Sequence, residues 1–161
     1  MSSAKRRIQM GINDLPPDLQ KTIQFHGHLC PGLTIGYRAA KGALEILAVA
    51  RPEDEELVAV VENRSCGVDA VQVLCGCTAA QGNLIILDNG KPVYTIGSRK
   101  TGRAVRIALR EDLVRPTGLD GRTDREKYIA MLLNDPLESL YRISEPQFEF
   151  PNVAPVFQTI G

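Results

Sequence analysis

The sequence predicts an α+β fold: a single-domain layered structure in which a mostly antiparallel sheet packs against helices. One observation is the order of segments, which reads helix, strand, helix, hairpin, strand, helix and is typical of α+β layers. A second is Asp88-Asn89-Gly90, a strong signal for a tight hairpin turn. A third is the length of 161 residues with 43% apolar composition, enough for one core and one domain over residues 1–161.

Charge and hydropathy exclude several classes of partner. Lys+Arg and Asp+Glu balance at 19 each, and the short basic stretch 98–106 is typical of a solvated turn, so we expect neither nucleic acid nor a membrane surface as partner. Apolar runs are too short for a signal peptide or a bilayer span, which predicts a cytoplasmic protein. Cysteines are kept reduced there, so four of them indicate metal or thiol chemistry rather than disulfides.

The first third of the chain predicts two helices joined by a turn. A short helix after Pro16-Pro17, with Asp14 as its cap, leads to His26. The turn that follows ends at Pro31, which suits the first position of a helix and makes Cys30 the N-cap or its neighbour. The second helix is expected over about seventeen residues, 33–49, because apolar positions recur at helical spacing.

The middle of the chain predicts the sheet. Strands are expected at 57–62, 83–87, 92–96 and 103–109, and 83–87 pairs with 92–96 as an antiparallel hairpin across Asn89-Gly90. Residues 68–74 are expected to form a helix that ends at Gly76.

The C-terminal third is expected to pack on the core, which spans about residues 18–110. Asp124 caps a predicted helix that breaks at Asp135-Pro136 and resumes toward Tyr141. The tail from Ser144 is rich in Pro and Phe, including Phe148, Phe150 and Phe157. Aromatic rings are costly to leave in water, so we expect the tail to lie on its own body or on a second copy of the chain.

The chemistry is concentrated in two clusters. His26, His28 and Cys30 lie within five positions, and Cys66, Asp69, Cys75 and Cys77 lie about forty residues later. Imidazole and thiolate donors suit zinc or another late first-row divalent ion. Three protein ligands with a bound water would form a Lewis-acid site, whereas four would close it into a structural site.

Each of these residues also has a purely structural interpretation. Cys75 ends an apolar run and is expected to fill the core, His26 can cap a helix end, and Asp69 can cap a helix start. Two non-metal functions use the same residues. The cysteines can serve as a redox dithiol, with Cys30, Cys66 and Cys77 as its members, and Cys30 at a helix N-terminus can act as a nucleophile activated by a histidine.

The segments FHGHLCPG, CGVDAVQVLCGCTAAQGNLIILDNGK and TGRAVRI occur in an order that resembles the core domain of the FmdE-like family of formylmethanofuran dehydrogenase components, over about residues 18–110. The resemblance implies an α+β core, a homodimer and a metal-binding cleft between the two clusters. Many members carry a C-terminal zinc ribbon, but no cysteine or histidine follows Cys77 in this sequence.

By motif, the resemblance implies a set of site residues and a function. The candidate catalytic residues are Cys30, His26 and Asp69, and the candidate metal ligands are His28, Cys30, Cys66 and Cys77. The implied function is that of a zinc-binding protein whose cleft is enzymatic, with a small-molecule substrate, or accessory to a molybdenum- or tungsten-dependent one-carbon oxidoreductase. A thiol redox protein and a structural metal-binding interaction module are the alternatives.

Overall fold

A computed structural model describes residues 11–50, 56–114 and 122–151. Its helices are α1 (Pro17–His26), α2 (Pro31–Leu47), α3 (Gly67–Cys75), α4 (Arg122–Asn134) and α5 (Leu137–Leu140). Its strands are β1 (Leu57–Val61), β2 (Leu84–Ile86), β3 (Val93–Ser98), β4 (Ala104–Leu109) and β5 (Tyr141–Ser144). Two short 3₁₀ turns, Ile12–Asp14 and Glu111–Leu113, complete the described part of the chain. The predicted α+β class is confirmed.

The five strands form one sheet in the order β2-β1-β3-β4-β5. All neighbouring strands are antiparallel except β1 and β2, which run parallel with Ala59 opposite Leu84. Side chains alternate between the two faces, because successive residues of a strand point in opposite directions. One face carries Ala59, Ile96 and Ile107, each 0% exposed, into a core that the helices complete.

The predicted hairpin between residues 83–87 and 92–96 is wrong, because β1 lies between β2 and β3. The connection bonds to the end of β1 instead: Leu87 N–H donates to Val61 O at 2.8 Å and Lys91 N–H donates to Glu62 O at 2.9 Å. Gly90 has the positive φ of a type I′ turn, but among the described residues other than glycine only Ala48 has one, so Asn89 does not. Bonding to β1 therefore overrides the local turn signal.

The predicted start of α2 is confirmed. Cys30 is the N-cap, Pro31 is the first helical residue, and Leu33 N–H donates to Cys30 Sγ at 3.4 Å. The helix ends at Leu47, two residues before the predicted end, because Ala48 adopts a left-handed conformation with φ 55°. The Val49 N–H then bonds back to Leu44 O at 3.0 Å, a common way of closing a helix.

Two glycines bring α2 and α3 into backbone contact. A Cβ added to Gly36 would lie 2.3 Å from both Cα and O of Gly67, and one added to Gly67 would lie 3.0 Å from Gly36 Cα. One turn earlier, a Cβ on Gly32 would lie 3.4 Å from Cys66 Cβ. Side chains at Gly36 and Gly67 would separate the helices, so their absence sets how closely the two N-termini approach.

Three further predictions need correction. Asp14 does not cap α1, since it lies in the 3₁₀ turn and Pro16 is the N-cap. Asp124 does not cap α4 either, because that helix already begins at Arg122 and Asp124 lies in its first turn. Strand β5 was not predicted, and it pairs with β4 with Tyr141 opposite Leu109.

The aromatic tail lies on the sheet, as predicted, as far as the structure describes it. A Cβ on Gly97 of β3 would lie 2.9 Å from Phe150 and 3.0 Å from Phe148, so the missing side chain makes room for both rings. Arg99 stacks on the Phe150 ring at 5.5 Å and donates to Pro151 O at 2.6 Å. Phe157 lies outside the described residues. No helix in the described ranges is long and apolar enough to cross a membrane.

Replacing Gly36 by Ala is expected to destabilise the protein by about 1–3 kcal/mol or more, because the new methyl group overlaps backbone that cannot move aside. The measurement is the midpoint of thermal unfolding. The matched control is Gly42→Ala on the same helix, where the added Cβ would lie 2.5 Å from Leu137 Cδ2, the mobile end of a side chain. An equal loss in both variants would contradict the importance of the α2–α3 contact.

Candidate metal centre

His26 is the last residue of α1, and its ring is oriented by α3. Gly27 ends the helix in a left-handed conformation with φ 110°, which positions the following turn. The ring Nδ1 lies 2.7 Å from Asp69 Oδ2, and Asp69 Oδ1 accepts a hydrogen bond from Gln72 Nε2 at 3.0 Å. The two clusters of the sequence therefore meet through this contact, 43 residues apart along the chain.

The Asp69 contact determines which nitrogen of His26 is available. A carboxylate only accepts hydrogen bonds, so Nδ1 carries the proton and Nε2 keeps its lone pair. That Nε2 is buried and has no hydrogen-bond partner among the described residues. A histidine held at one nitrogen by a carboxylate, with the other nitrogen free, is the usual state of a metal-binding histidine. Asp69, a catalytic candidate from sequence, is placed as the group that orients His26.

His28 and Cys30 complete a three-donor cluster with His26. The His26 and His28 rings have centroids 4.8 Å apart, and Cys30 is only 6% exposed at the N-terminus of α2. One ligand atom from each residue lies within 4.8 Å of the others.

These donors fit a late first-row ion. Donors bound at zinc distances in a tetrahedron lie about 3.3–3.7 Å apart, so binding requires the three atoms to approach by roughly 1 Å. His28 is exposed and can make that adjustment.

Cys66 lies beside the cluster without being one of the three donors. It is the N-cap residue of α3 and is partly exposed. Burial raises the pKa of its thiol, and a hydrogen bond with Cys30 and the charge of Cys30 raise the pKa further. The structure thus brings Cys30 and Cys66 into direct contact across the junction of α2 and α3.

Cys77 lies elsewhere. Its thiol donates to Leu57 O at 3.4 Å and is 0% exposed, and burial raises its pKa to about 12. Leu57 begins β1, whereas Gly67, the residue after Cys66, packs against Tyr94, which is opposite Val61 at the other end of that strand. The strand length of about 13 Å therefore lies between the two ends, and the structure does not bring Cys77 to the histidines.

Cys75 is 1% exposed on the last turn of α3 and belongs to the hydrophobic core, as predicted from its apolar run. With Cys77 it would have formed an accessible Cys-x-Cys dithiol in the redox interpretation. Because both side chains are buried, solvent does not reach this pair.

Two residues around the centre were missed at the sequence level. Gln72 follows Asp69 by three positions, a spacing at which helical side chains meet, so its role in fixing Asp69 was accessible from the pattern. Tyr94 had no such signal. Its hydroxyl would lie 2.2 Å from a Cβ on Gly67, and burial raises its pKa. Only the packing of β3 beneath α3 brings it there.

A cavity of about 1610 Å³ opens beside the donor cluster, with His28 and Leu29 in its lining. Its walls come from α2 and α4. They combine apolar side chains such as Leu133 with charged ones such as Lys41 and Glu45. A molecule in this cavity can therefore reach the exposed imidazole of His28.

The fold and the donor cluster define a small α+β protein with a candidate histidine–cysteine metal centre. A family model described as "FmdE, Molybdenum formylmethanofuran dehydrogenase operon" matches residues 25–142. That match covers more than half of the chain, and the chain belongs to the FmdE family. The family resemblance predicted from the sequence is confirmed.

Two relatives place the chain further. The crystal structure of an FmdE-like protein of tungsten formylmethanofuran dehydrogenase from Syntrophus aciditrophicus has a TM-score of 0.61 and 25% sequence identity, covering 81% of this chain and 71% of that one. A protein of Archaeoglobus fulgidus described as a probable S-adenosyl-L-methionine-binding protein is 40% identical over 103 residues, which is 60% of this chain. The match spans 28% of the length of that relative.

The burial of the four thiols predicts an order of reactivity. In native protein without added metal, a thiol reagent should modify Cys66 readily and Cys77 only after unfolding, because the Cys77 thiol is buried and its pKa is raised to about 12. Timed labelling with iodoacetamide and peptide mass analysis measure this. Rapid labelling of Cys77 in the folded protein would contradict its placement under β1.

Proposed function

We propose that this chain binds one zinc ion, or another late first-row divalent ion, through His26 Nε2, a ring nitrogen of His28 and the Cys30 thiolate. Two imidazoles and one thiolate are a donor set suited to such ions. In this proposal Asp69 and Gln72 orient His26, and Cys66 stays next to the centre without being one of its three donors. When bound, the metal supplies a Lewis acid next to the cavity.

The buried Nε2 of His26 carries the proposal. A buried polar atom without a partner costs roughly 1–3 kcal/mol, and native proteins rarely keep one without a reason. The same ring is held from the other side by Asp69 at 2.7 Å, so it cannot turn this nitrogen toward solvent without losing that contact. A metal ion offers Nε2 the partner that it lacks.

The surroundings of His28 support a site that keeps a position open for substrate. Only three donors converge among the described residues, and His28 lines a cavity large enough for a small organic molecule. With three protein ligands, a metal retains a position for water or substrate and lowers the pKa of bound water toward neutrality. This arrangement favours an enzymatic role over a closed structural site.

The family gives the proposed role its chemical context. The family description names the operon of molybdenum formylmethanofuran dehydrogenase, and the structural relative is named for the tungsten enzyme. We therefore include in the proposal a homodimer whose metal site acts on a small molecule of one-carbon metabolism or assists such an oxidoreductase. The S-adenosyl-L-methionine named for the Archaeoglobus fulgidus relative is a ligand to test in the cavity.

Metal analysis tests the proposal directly. Protein purified without an affinity tag is expected to hold about one zinc per chain, and His26→Ala, His28→Ala and Cys30→Ser should each lose most of it, because a missing donor leaves only two. Cys77→Ala is the matched control and should keep its zinc. Absence of stoichiometric metal, or a Cys30→Ser variant that retains it, would contradict the proposal.

The orienting role of Asp69 has a graded consequence. Asp69→Asn is expected to lower zinc affinity by about 10–100-fold while leaving the stoichiometry intact, since loss of a group that orients a metal-binding histidine typically has this effect. Competition with a chromogenic chelator measures the affinity. Gln72→Leu, which leaves the Asp69 carboxylate in place, should have a smaller effect. Complete loss of zinc from Asp69→Asn would instead indicate that Asp69 is itself a ligand.

A further inference from the structure

We propose that Cys30 and Cys66 form an oxidative modification site: a peroxide converts the two thiols into a reversible disulfide, which removes the Cys30 sulfur from the metal centre. Formation of the disulfide depends only on the described geometry. The accompanying release of metal rests on the proposed function above. The structure thus assigns Cys66, the cysteine next to the three donors, a chemical role of its own.

The contact between the two N-caps is built into the backbone. Cys30 precedes α2 and Cys66 precedes α3, and the glycine contact between these helices brings their first turns together. Around the junction, a Cβ on Gly32 would lie 3.4 Å from Cys66 Cβ and 3.9 Å from its Sγ. Because Cys30 and Cys66 are in hydrogen-bonding contact, their sulfurs can join without a rearrangement of the helices.

The other two cysteines do not compete for this reaction. Cys75 and Cys77 are 1% and 0% exposed, and Cys77 donates to a backbone carbonyl of β1. Cys66 is partly exposed, whereas Cys30 is buried directly beside it. An accessible thiol next to a second, sheltered thiol is the arrangement in which an initial oxidation product is captured as a disulfide.

The reaction balances with hydrogen peroxide as the oxidant. The Cys66 thiolate attacks one peroxide oxygen, the O–O bond breaks, and the products are the Cys66 sulfenic acid and water. The Cys30 thiolate then attacks the Cys66 sulfur, the S–O bond breaks, and hydroxide leaves and is protonated to a second water. Two thiols lose two electrons, which reduce one peroxide to two waters. A dithiol reductant reverses the change.

Disulfide formation and metal binding compete for the same atom. The thiolate form of cysteine is the metal ligand, so a Cys30 sulfur in a disulfide no longer serves as that donor. Only the two histidines of the cluster then remain among the described residues. Oxidation should therefore release the ion, and bound metal should slow the oxidation by occupying Cys30.

The test treats the zinc-loaded full chain with a small excess of hydrogen peroxide and digests it, without reduction, with a protease that cleaves before aspartate. Cleavage at Asp18, Asp54, Asp69 and Asp88 places Cys30 in fragment 18–53, Cys66 in fragment 54–68, and Cys75 with Cys77 in fragment 69–87. The expected product is fragment 18–53 joined to fragment 54–68. Zinc should appear in solution at the same rate, and dithiothreitol should reverse both changes.

Two variants sharpen the result. Cys66→Ser should give no joined fragments and should hold its zinc for longer at the same peroxide dose, whereas Cys77→Ala should behave like the unmodified chain. Zinc release from Cys66→Ser at an unchanged rate would overturn the gating role of the pair. Joining of fragment 69–87 to either partner, or oxidation to sulfinic acid without any disulfide, would overturn the modification site.

The two proposals fail in distinguishable ways. If the purified chain binds no stoichiometric metal but still forms the Cys30–Cys66 disulfide, the metal function fails and the modification site stands. If zinc binds as proposed but peroxide produces no joined fragments, the modification site fails and the metal function stands.

Discussion

The backbone contact between Gly36 and Gly67 is the constraint on which the rest of this structure depends. It lets α2 and α3 approach more closely than any side chain would permit, with would-be Cβ distances of 2.3 and 3.0 Å. The N-caps of both helices therefore come together at one point. Cys30 and Cys66 meet there, and Asp69 in the first turn of α3 comes within reach of the last residue of α1. A contact between two residues without side chains thus positions three chemically active ones.

The centre is assembled from helix ends, which explains its combination of rigidity and access. His26 is held by α1 and by the Asp69–Gln72 pair of α3, and Cys30 is held by the Leu33 amide at the start of α2. His28 lies on the turn between the two helices and is exposed. Two donors are therefore preorganised and one is adjustable. A site of this kind can bind an ion while one side stays open to the cavity.

Local signals in the sequence predicted the helices around the centre and failed at the sheet. Cys30 and Pro31 mark the start of α2 by capping chemistry that depends only on neighbouring residues, and Gly76 ends α3 for a similar local reason. Asn89-Gly90 is also a local signal, but its strands found a better partner in β1 and the hairpin did not form. Strand pairing depends on residues far apart in the chain, and a turn motif does not report them.

The sequence by itself determined the α+β class, the family and the residue types of the centre, because periodicity, caps and motif order are properties of neighbouring positions. Only the tertiary structure decided which residues meet. It placed Cys66 against Cys30 and Asp69 behind His26, and it placed Cys77 at the far end of β1. The physical reason is that a His/Cys-rich sequence supplies donors without directions. Helix packing and strand order supply the directions, and both depend on contacts between distant parts of the chain.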